Sequence, residues 1–362
     1  MMTARERFLN LMLFMPVDRL PLVEWPIRGA TMRRWISEGY PEGMASEDYF
    51  GLDSIWRGIP VHFGMMPAFT PETLRIEGEY KIWRDELGAI RRDYKITENE
   101  GFVTRTWLQF AVTDRDSFRA LKFRYEADTP GRVPDDVDAV AAALNAQQDA
   151  PVHLSIPYLF WTTRDWIGFE NLCMMYYDDP ALIEEMHEFW TDFVIETLKP
   201  VMGRVRIDLA ELKEDMAYKH APMISPVMFK AYMYPHYRRL IDFLKANGCA
   251  NVYVDCDGYP GDELTALWLD AGVDGVSPVE VAAGNDLLHL AKEFPRLRMF
   301  GGIDKRVLAR TPKDIEHEVM SKVPMLMERG GYMPHIDHAI PHDVPLANYW
   351  YYRSILERLV RG

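Results

Sequence analysis

The stretch Asn251-Val252-Tyr253-Val254-Asp255-Cys256-Asp257-Gly258-Tyr259-Pro260 decides the fold. Its β-branched and aromatic beginning predicts a short buried strand, and Gly258 and Pro260 predict that the strand ends in a turn. If the backbone stays extended, Asp255 and Asp257 lie on the same side, so two carboxylates face one space at the end of a strand. In parallel α/β folds, binding sites lie at this end of the strands.

The same rhythm of a short apolar run, a polar turn and a longer amphipathic stretch repeats from about residue 150 onward. With two earlier candidates, the strands number eight, which predicts an α/β fold of the closed (β/α)8 TIM-barrel type. The candidate strands are 20–25, 53–57, 152–156, 205–209, 251–255, 275–279, 297–301 and 331–334. Since we find no internal repeat or linker, we expect a single domain over residues 1–362.

Two further patterns complete the expected architecture. Residues 70–135 are rich in charge and aromatics and alternate in 90–96, which predicts antiparallel hairpins in an insertion that forms a lid over the barrel mouth. Ser225-Pro226 and Thr311-Pro312 are helix-start signals, and Asn247-Gly248 is a helix-stop signal.

Composition restricts the partners of the chain. Forty-one basic and fifty-five acidic residues give a formal net charge of −14, which opposes binding to nucleic acid or to an anionic membrane surface. No apolar run reaches the roughly 20 residues of a membrane helix. The three cysteines contain no CxxC pair, which fits a reducing, cytoplasmic setting without a disulfide framework.

A group of acids and one histidine follows the predicted strands. Asp255, Asp257, Glu280 and His338 offer three carboxylates and one imidazole, a set compatible with zinc or another divalent metal. Paired carboxylates also suit general acid/base catalysis. The structural alternatives are a turn or helix cap for Asp257, a salt bridge from Glu280 to Lys305 or Arg306, and a hydrogen-bonded structural role for His338.

Other residues near strand ends are candidates for catalysis or substrate binding. The charged run 208–219 should point at least one acid into the mouth, and its acid/base candidates are Glu214, Asp215 and Lys219. Lys305 follows Gly301-Gly302, where backbone amides could hold an anion. Aromatic residues after strand ends could wall a flat ligand or simply pack against the insertion; these are Trp25, Tyr158, Phe160, Trp161 and Trp166.

Taken in order, several motifs give the chain a resemblance to the uroporphyrinogen decarboxylase superfamily, whose fold is a (β/α)8 barrel. The resemblance covers most of the chain and rests on 16–21, 224–226, 255–258, 338–341 and 344–348. Its decarboxylase branch carries an arginine-rich loop after the first strand, where this chain retains only Arg28. That branch also has an Asp after the second strand, where this chain has 57–60, although His338 matches its histidine.

The methyltransferase branch resembles the chain in spacing but not in ligands. Asp255 stands where that branch has a His, and Asp257 and His338 stand where it has Cys residues. At position 280 both this chain and that branch have a Glu. The resemblance therefore implies a cytoplasmic methyltransferase that moves a methyl group between a small, possibly methoxylated molecule and a corrinoid carried by a partner protein. It implies Asp255 and His338 as reactive residues, Arg28 near the substrate, and a zinc or other divalent metal. Decarboxylation of a tetrapyrrole and non-catalytic binding of a corrinoid or tetrapyrrole are the alternatives.

Overall fold

The computed structural model describes residues 2–25, 27–95 and 104–361. Within them, seven parallel strands form one sheet in the order β1-β6-β7-β8-β9-β10-β11. These strands are β1 (Arg57–Gly58), β6 (Val152–Pro157), β7 (Leu209–Lys213), β8 (Val252–Asp255), β9 (Gly275–Ser277), β10 (Arg298–Phe300) and β11 (Tyr332–Met333). The α/β class and the parallel sheet are confirmed, with seven strands in place of the predicted eight.

Helices connect the parallel strands and flank the sheet. They are α1 (Ala4–Met12), α2 (Gly29–Ser37), α3 (Ser46–Phe50), α4 (Arg115–Leu121), α5 (Val137–Ala146), α6 (Leu159–Ile167), α7 (Phe169–Asp178), α8 (Pro180–Leu198), α9 (Pro226–Met228), α10 (Tyr234–Ala246), α11 (Gly261–Asp270), α12 (Leu287–Glu293), α13 (Pro312–Met320), α14 (Val323–Arg329) and α15 (Leu346–Arg361). No helix among the described residues has the length and apolar character needed to cross a bilayer.

Both predicted helix starts are confirmed. Ser225 accepts a hydrogen bond from the Met228 amide, and Thr311 forms a capping box with Asp314. The helix expected from residue 226 to 247 is divided into α9, a π-helical turn over Phe229–Met233 and α10. The division falls beside Pro235, which has no N–H to continue the hydrogen-bond ladder.

The structure also corrects the predicted position of one strand, β7, and therefore its pairing with β8. The strand predicted at 205–209 lies at Leu209–Lys213, which places Lys213 opposite Asp255 at the carboxyl edge. The strand was predicted at the wrong position because it contains a charged residue, Glu211. Glu211 is only 2% exposed, and its carboxylate accepts hydrogen bonds from Ser155 (2.5 Å) and Tyr253 (2.7 Å). These hydrogen bonds allow a carboxylate to be buried within the parallel sheet. A strand with such a residue does not show the apolar pattern from which buried strands are predicted.

The insertion contains an antiparallel sheet, as predicted, in the order β2-β3-β4-β5. Its strands are β2 (Glu72–Glu77), β3 (Tyr80–Arg84), β4 (Ile90–Tyr94) and β5 (Arg105–Gln109), and the part of the predicted hairpins at 96–103 lies outside the described residues. The role as a lid stays a prediction, and no described residue of 70–135 lines the cavity at the carboxyl edge of the parallel sheet. The sheet packs instead beside α6 and α7, around a separate cavity.

The predicted first strand, 20–25, joins no ladder among the described residues. Hydrogen bonds connect it to Asp53, which precedes β1, and to Ile336, which follows β11. Leu22 accepts from the Asp53 amide (2.9 Å), and the Glu24 carboxylate accepts from the Ile336 amide (3.1 Å). We call the contact of residues 20–25 and 27–28 with 335–339 the seam.

Candidate active site

A cavity of about 460 Å³ opens at the carboxyl edge of the parallel sheet. Strand ends supply one side, which we call the ladder wall: Lys213, Asp215, Asp255 and Asp257. The seam supplies the other, which we call the seam wall: Trp25, Ile27, Arg28, His338 and Ala339. Trp161 and Pro278 complete the lining. A cavity of this size suits a small organic molecule.

Asp255 is the most perturbed acid of the cavity. It ends β8, and burial together with the charges of Glu211 and Asp215 raises the pKa of its carboxyl well above the usual range, against the opposing effect of Lys213. Burial also raises the pKa of Asp215, and the Asp257 charge adds to that rise. Neighbouring carboxylates in a low-dielectric space resist ionisation together, so the proximity of Asp255 and Asp215 favours their neutral forms.

The backbone after β7 holds the second acid in an unusual conformation. Asp215 has φ of 44°, in the left-handed region that side chains other than glycine seldom adopt. Its Oδ1 accepts a hydrogen bond from the Asp257 amide (3.1 Å), and its carbonyl accepts one from Arg164 (3.3 Å). These bonds tie the loops after β7 and β8 together.

His338 links the two walls. Its Nδ1 lies 3.1 Å from an Arg28 guanidinium nitrogen and accepts from the Ala339 amide at 2.7 Å. Two donors at Nδ1 leave the proton on Nε2, which lies 3.2 Å from the Asp257 carboxylate. Arg28, His338 and Asp257 therefore form a row across the mouth, with a hydrogen bond between Arg28 and His338 and a 3.2 Å ionic contact between His338 and Asp257.

Lys213 is the cavity residue that sequence reasoning missed. Its ammonium lies 3.8 Å from the Glu211 carboxylate, and its side chain is 38% exposed. Alternation from Glu211 would have found it, had β7 been placed in its true register. Lys213 and Arg28 are the two cations that line the cavity in the described part of the chain.

Several other predicted residues lie outside this cavity. Glu214 is fully buried and accepts bonds from the Phe160 amide (2.7 Å) and the Tyr237 hydroxyl (2.5 Å), so it caps the start of α6. Burial raises its pKa to about 7. Tyr158 is buried, with its hydroxyl bonded to a backbone carbonyl, and Lys219 is exposed on the loop beyond.

The predicted metal site is not assembled in the described residues. Glu280 instead makes the salt bridge that was its structural alternative, with its Oε1 2.7 Å from Lys305 Nζ, and it also accepts from the Gly258 amide. Nowhere in 2–25, 27–95 and 104–361 do three His, Cys, Asp or Glu side chains form a group that could hold a metal ion. Lys305 is likewise bound to acids and absent from the cavity lining.

Comparisons with known proteins place this geometry in a family. The family model described as uroporphyrinogen decarboxylase (URO-D) matches residues 161–356. A methyltransferase from Methanosarcina mazei has 14% identity over 99% of both chains, with a TM-score of 0.59. A vitamin-B12 independent methionine synthase structure from Listeria monocytogenes has 12% identity over 62% of this chain and 67% of its own, with a TM-score of 0.34.

A search of curated proteins finds no match to the sequence. The similarity to the Methanosarcina structure supports the fold, because it extends over nearly the whole of both chains. The family model spans more than half of the 362 residues and includes both acids of β8 and its loop, as well as His338. The chain belongs to the uroporphyrinogen decarboxylase (URO-D) family.

Proposed function

We propose that this chain is a methyltransferase that removes the methyl group of a small methyl ether and passes it to the reduced corrinoid of a partner protein. The observation that carries the proposal is Asp255, a carboxyl whose pKa is raised well above the usual range by burial and which lines a cavity walled by two tryptophans. A neutral carboxylic acid at this position can donate a proton to an ether oxygen.

The proposed reaction balances without a bound metal. As the bond between the methyl carbon and the reduced cobalt of the corrinoid forms, the bond between the methyl carbon and the ether oxygen breaks. The electron pair of that broken bond stays on the oxygen, and Asp255 supplies the proton that converts the leaving alkoxide into an alcohol. The pair for the new bond comes from the corrinoid. Because the residues do not fit a metal, no step is assigned to one.

The remaining charges of the cavity favour an anionic substituent on the substrate. Burial raises the pKa of both Asp255 and Asp215, which favours their neutral forms. Lys213 and Arg28 add two cationic side chains to the same lining. We propose that they orient a carboxylate or phenolate on the methoxylated compound.

The aromatic surfaces favour a flat substrate. Trp25 and Trp161 both line the cavity. The Arg164 guanidinium lies over the Trp161 ring, 4.7 Å from its centre. Aromatic surface in a small cavity buries a ring at little cost in conformational entropy. A methoxylated aromatic compound meets this requirement as well as the requirement for an anionic substituent.

The competing function, decarboxylation of a polycarboxylated tetrapyrrole, is less well supported. It requires several cations around the mouth, whereas the cavity is lined by three carboxyl groups and only two cations within the described residues. Two cations are too few to pair with the carboxylates of such a substrate.

The test supplies the purified protein with cob(I)alamin and a panel of methoxybenzoates. We expect methylcob(III)alamin to form, measured by its absorbance, together with an equal amount of the hydroxybenzoate, measured by chromatography. Asp255→Asn should slow the formation of both products by roughly 10²- to 10⁴-fold, and Asp262→Asn, which removes an exposed acid outside the cavity, should change neither. Release of CO2 from uroporphyrinogen without methyl transfer would overturn the proposal in favour of decarboxylation, and ligand binding without either product would favour a non-catalytic barrel.

A further inference from the structure

The seam wall of the cavity lacks the backbone support that the ladder wall has. No ladder among the described residues joins 20–25 to β11, although Trp25 and His338 must keep a fixed relation to form one wall. Side-chain hydrogen bonds must therefore set that relation. Glu24 is placed to do so, because it lies directly before Trp25 in the seam.

The Glu24 carboxylate accepts two backbone hydrogen bonds through one oxygen. Its Oε1 lies 3.1 Å from the Trp25 amide and 3.1 Å from the Ile336 amide, two residues before His338. Glu24 is 8% exposed, so water does not compete for these bonds. One carboxylate oxygen thus fixes the backbone on both sides of the seam.

A buried cation on the C-terminal helix accompanies this carboxylate. Arg353 lies on α15 and is 0% exposed, and none of its guanidinium nitrogens has a hydrogen-bond partner among the described residues. Burial raises the pKa of Glu24 to about 7, and the Arg353 charge opposes that rise. A buried guanidinium requires a nearby countercharge, and Glu24 provides one.

We propose that Glu24 is a positioning residue, which with Arg353 holds Trp25 and the His338 loop in the orientation that the cavity requires. The effect of this positioning on catalysis rests on the proposed function of the cavity. The positioning itself is a property of the backbone and can be measured without a substrate.

Two double variants separate the hydrogen bond from the charge. E24Q/R353M removes both charges but keeps an amide oxygen that can accept from Ile336, whereas E24L/R353M removes the acceptor as well. The two chains have similar side-chain volumes and equal net charge. Any difference between the two variants is therefore caused by the loss of the hydrogen-bond acceptor at residue 24 and not by the loss of the two charges.

Hydrogen exchange detected by mass spectrometry is the first readout. We expect peptides covering 334–340 to exchange roughly tenfold faster in E24L/R353M than in E24Q/R353M, because a buried amide loses its acceptor. Nitrogen-15 spectra of the imidazoles are the second readout. They should show His338 with its proton on Nε2 in E24Q/R353M and a mixture of tautomers in E24L/R353M.

Glu38→Ala is the matched control, since Glu38 accepts from the Leu346 amide (2.6 Å) at the start of the same helix. It should speed exchange near 346 and leave 334–340 and His338 unchanged. Equal exchange at 334–340 in the two double variants, or an unaltered His338 spectrum in E24L/R353M, would overturn the proposal. Neither readout depends on methyl transfer, so a failure here is separate from a failure of the proposed function.

Discussion

The two walls of the cavity are built by different physical means. The ladder wall continues β7 and β8, which pair in register from Ala210↔Val252 to Lys213↔Asp255, so repeated backbone bonds fix its acids. The seam wall comes from two segments that share no ladder in the described residues, and individual side chains connect them. The difference teaches that repeated backbone bonds hold Asp255, while Trp25 and His338 depend on a few side-chain contacts.

The largest expected effect is on the ladder wall. Asp255→Asn removes the proton donor without changing the shape of the cavity, and general acid catalysis contributes roughly 10²- to 10⁴-fold to rate. We expect kcat to fall by about that factor while the dissociation constant of the methoxybenzoate changes little, as measured by methyl transfer and calorimetry. An unaltered kcat would show that the rigid wall does not carry the chemistry.

A pH-dependent effect should come from the support beneath the ladder wall. The pKa of Glu214 is about 7 in the folded chain and 4.5 in the unfolded chain, so the folded state binds more protons between these two pH values. Its contribution to stability is complete below about 4.5 and is lost as pH rises through about 7, by an amount on the order of 3 kcal/mol.

Urea unfolding at pH 5 and pH 8 measures this loss, with Glu214→Gln as the comparison. The glutamine variant should show a smaller decrease in unfolding free energy across the same range. If wild type and variant decrease equally, then other groups account for the pH dependence.

A smaller effect is expected at the link between the walls. His338→Gln disrupts the row formed by Arg28, His338 and Asp257 but leaves the rest of the cavity in place. Because the lost interactions are one partly buried hydrogen bond and one partly exposed ionic contact, we expect kcat/KM to fall about tenfold. His342→Gln, four residues away on the same loop, is the control and should retain full activity.

The smallest effect is expected where a half-buried cation, Arg164, supports an aromatic side chain. Arg164→Gln removes the cation stacked on Trp161 and its bond to the Asp215 carbonyl. Stacking of this kind contributes about 0.5–1 kcal/mol at accessible sites, so affinity for the methoxybenzoate should weaken by roughly threefold. A loss as large as that of Asp255→Asn would mean that Trp161 is held by this contact alone.

Local pattern was sufficient for several features of the chain. The strand at 252–255 and the helix starts at 226 and 312 follow from alternation and capping, and the antiparallel sheet follows from the alternating charge of the insertion. The position of β7 did not follow, because an interior glutamate resembles a surface charge until its partners Ser155 and Tyr253 are known. The same limitation hid Lys213.

By itself, the sequence determined that acids and His338 follow parallel strands in an α/β protein of this family, because periodicity and turn residues are local. Only the tertiary structure decided how those groups are used. It brought Lys305 to Glu280, His338 to Asp257 and Glu24 to Ile336, contacts that span 25 to 312 residues of the chain. Pairing across such separations depends on the packing of the whole sheet, so local patterns could not show which of these residues meet.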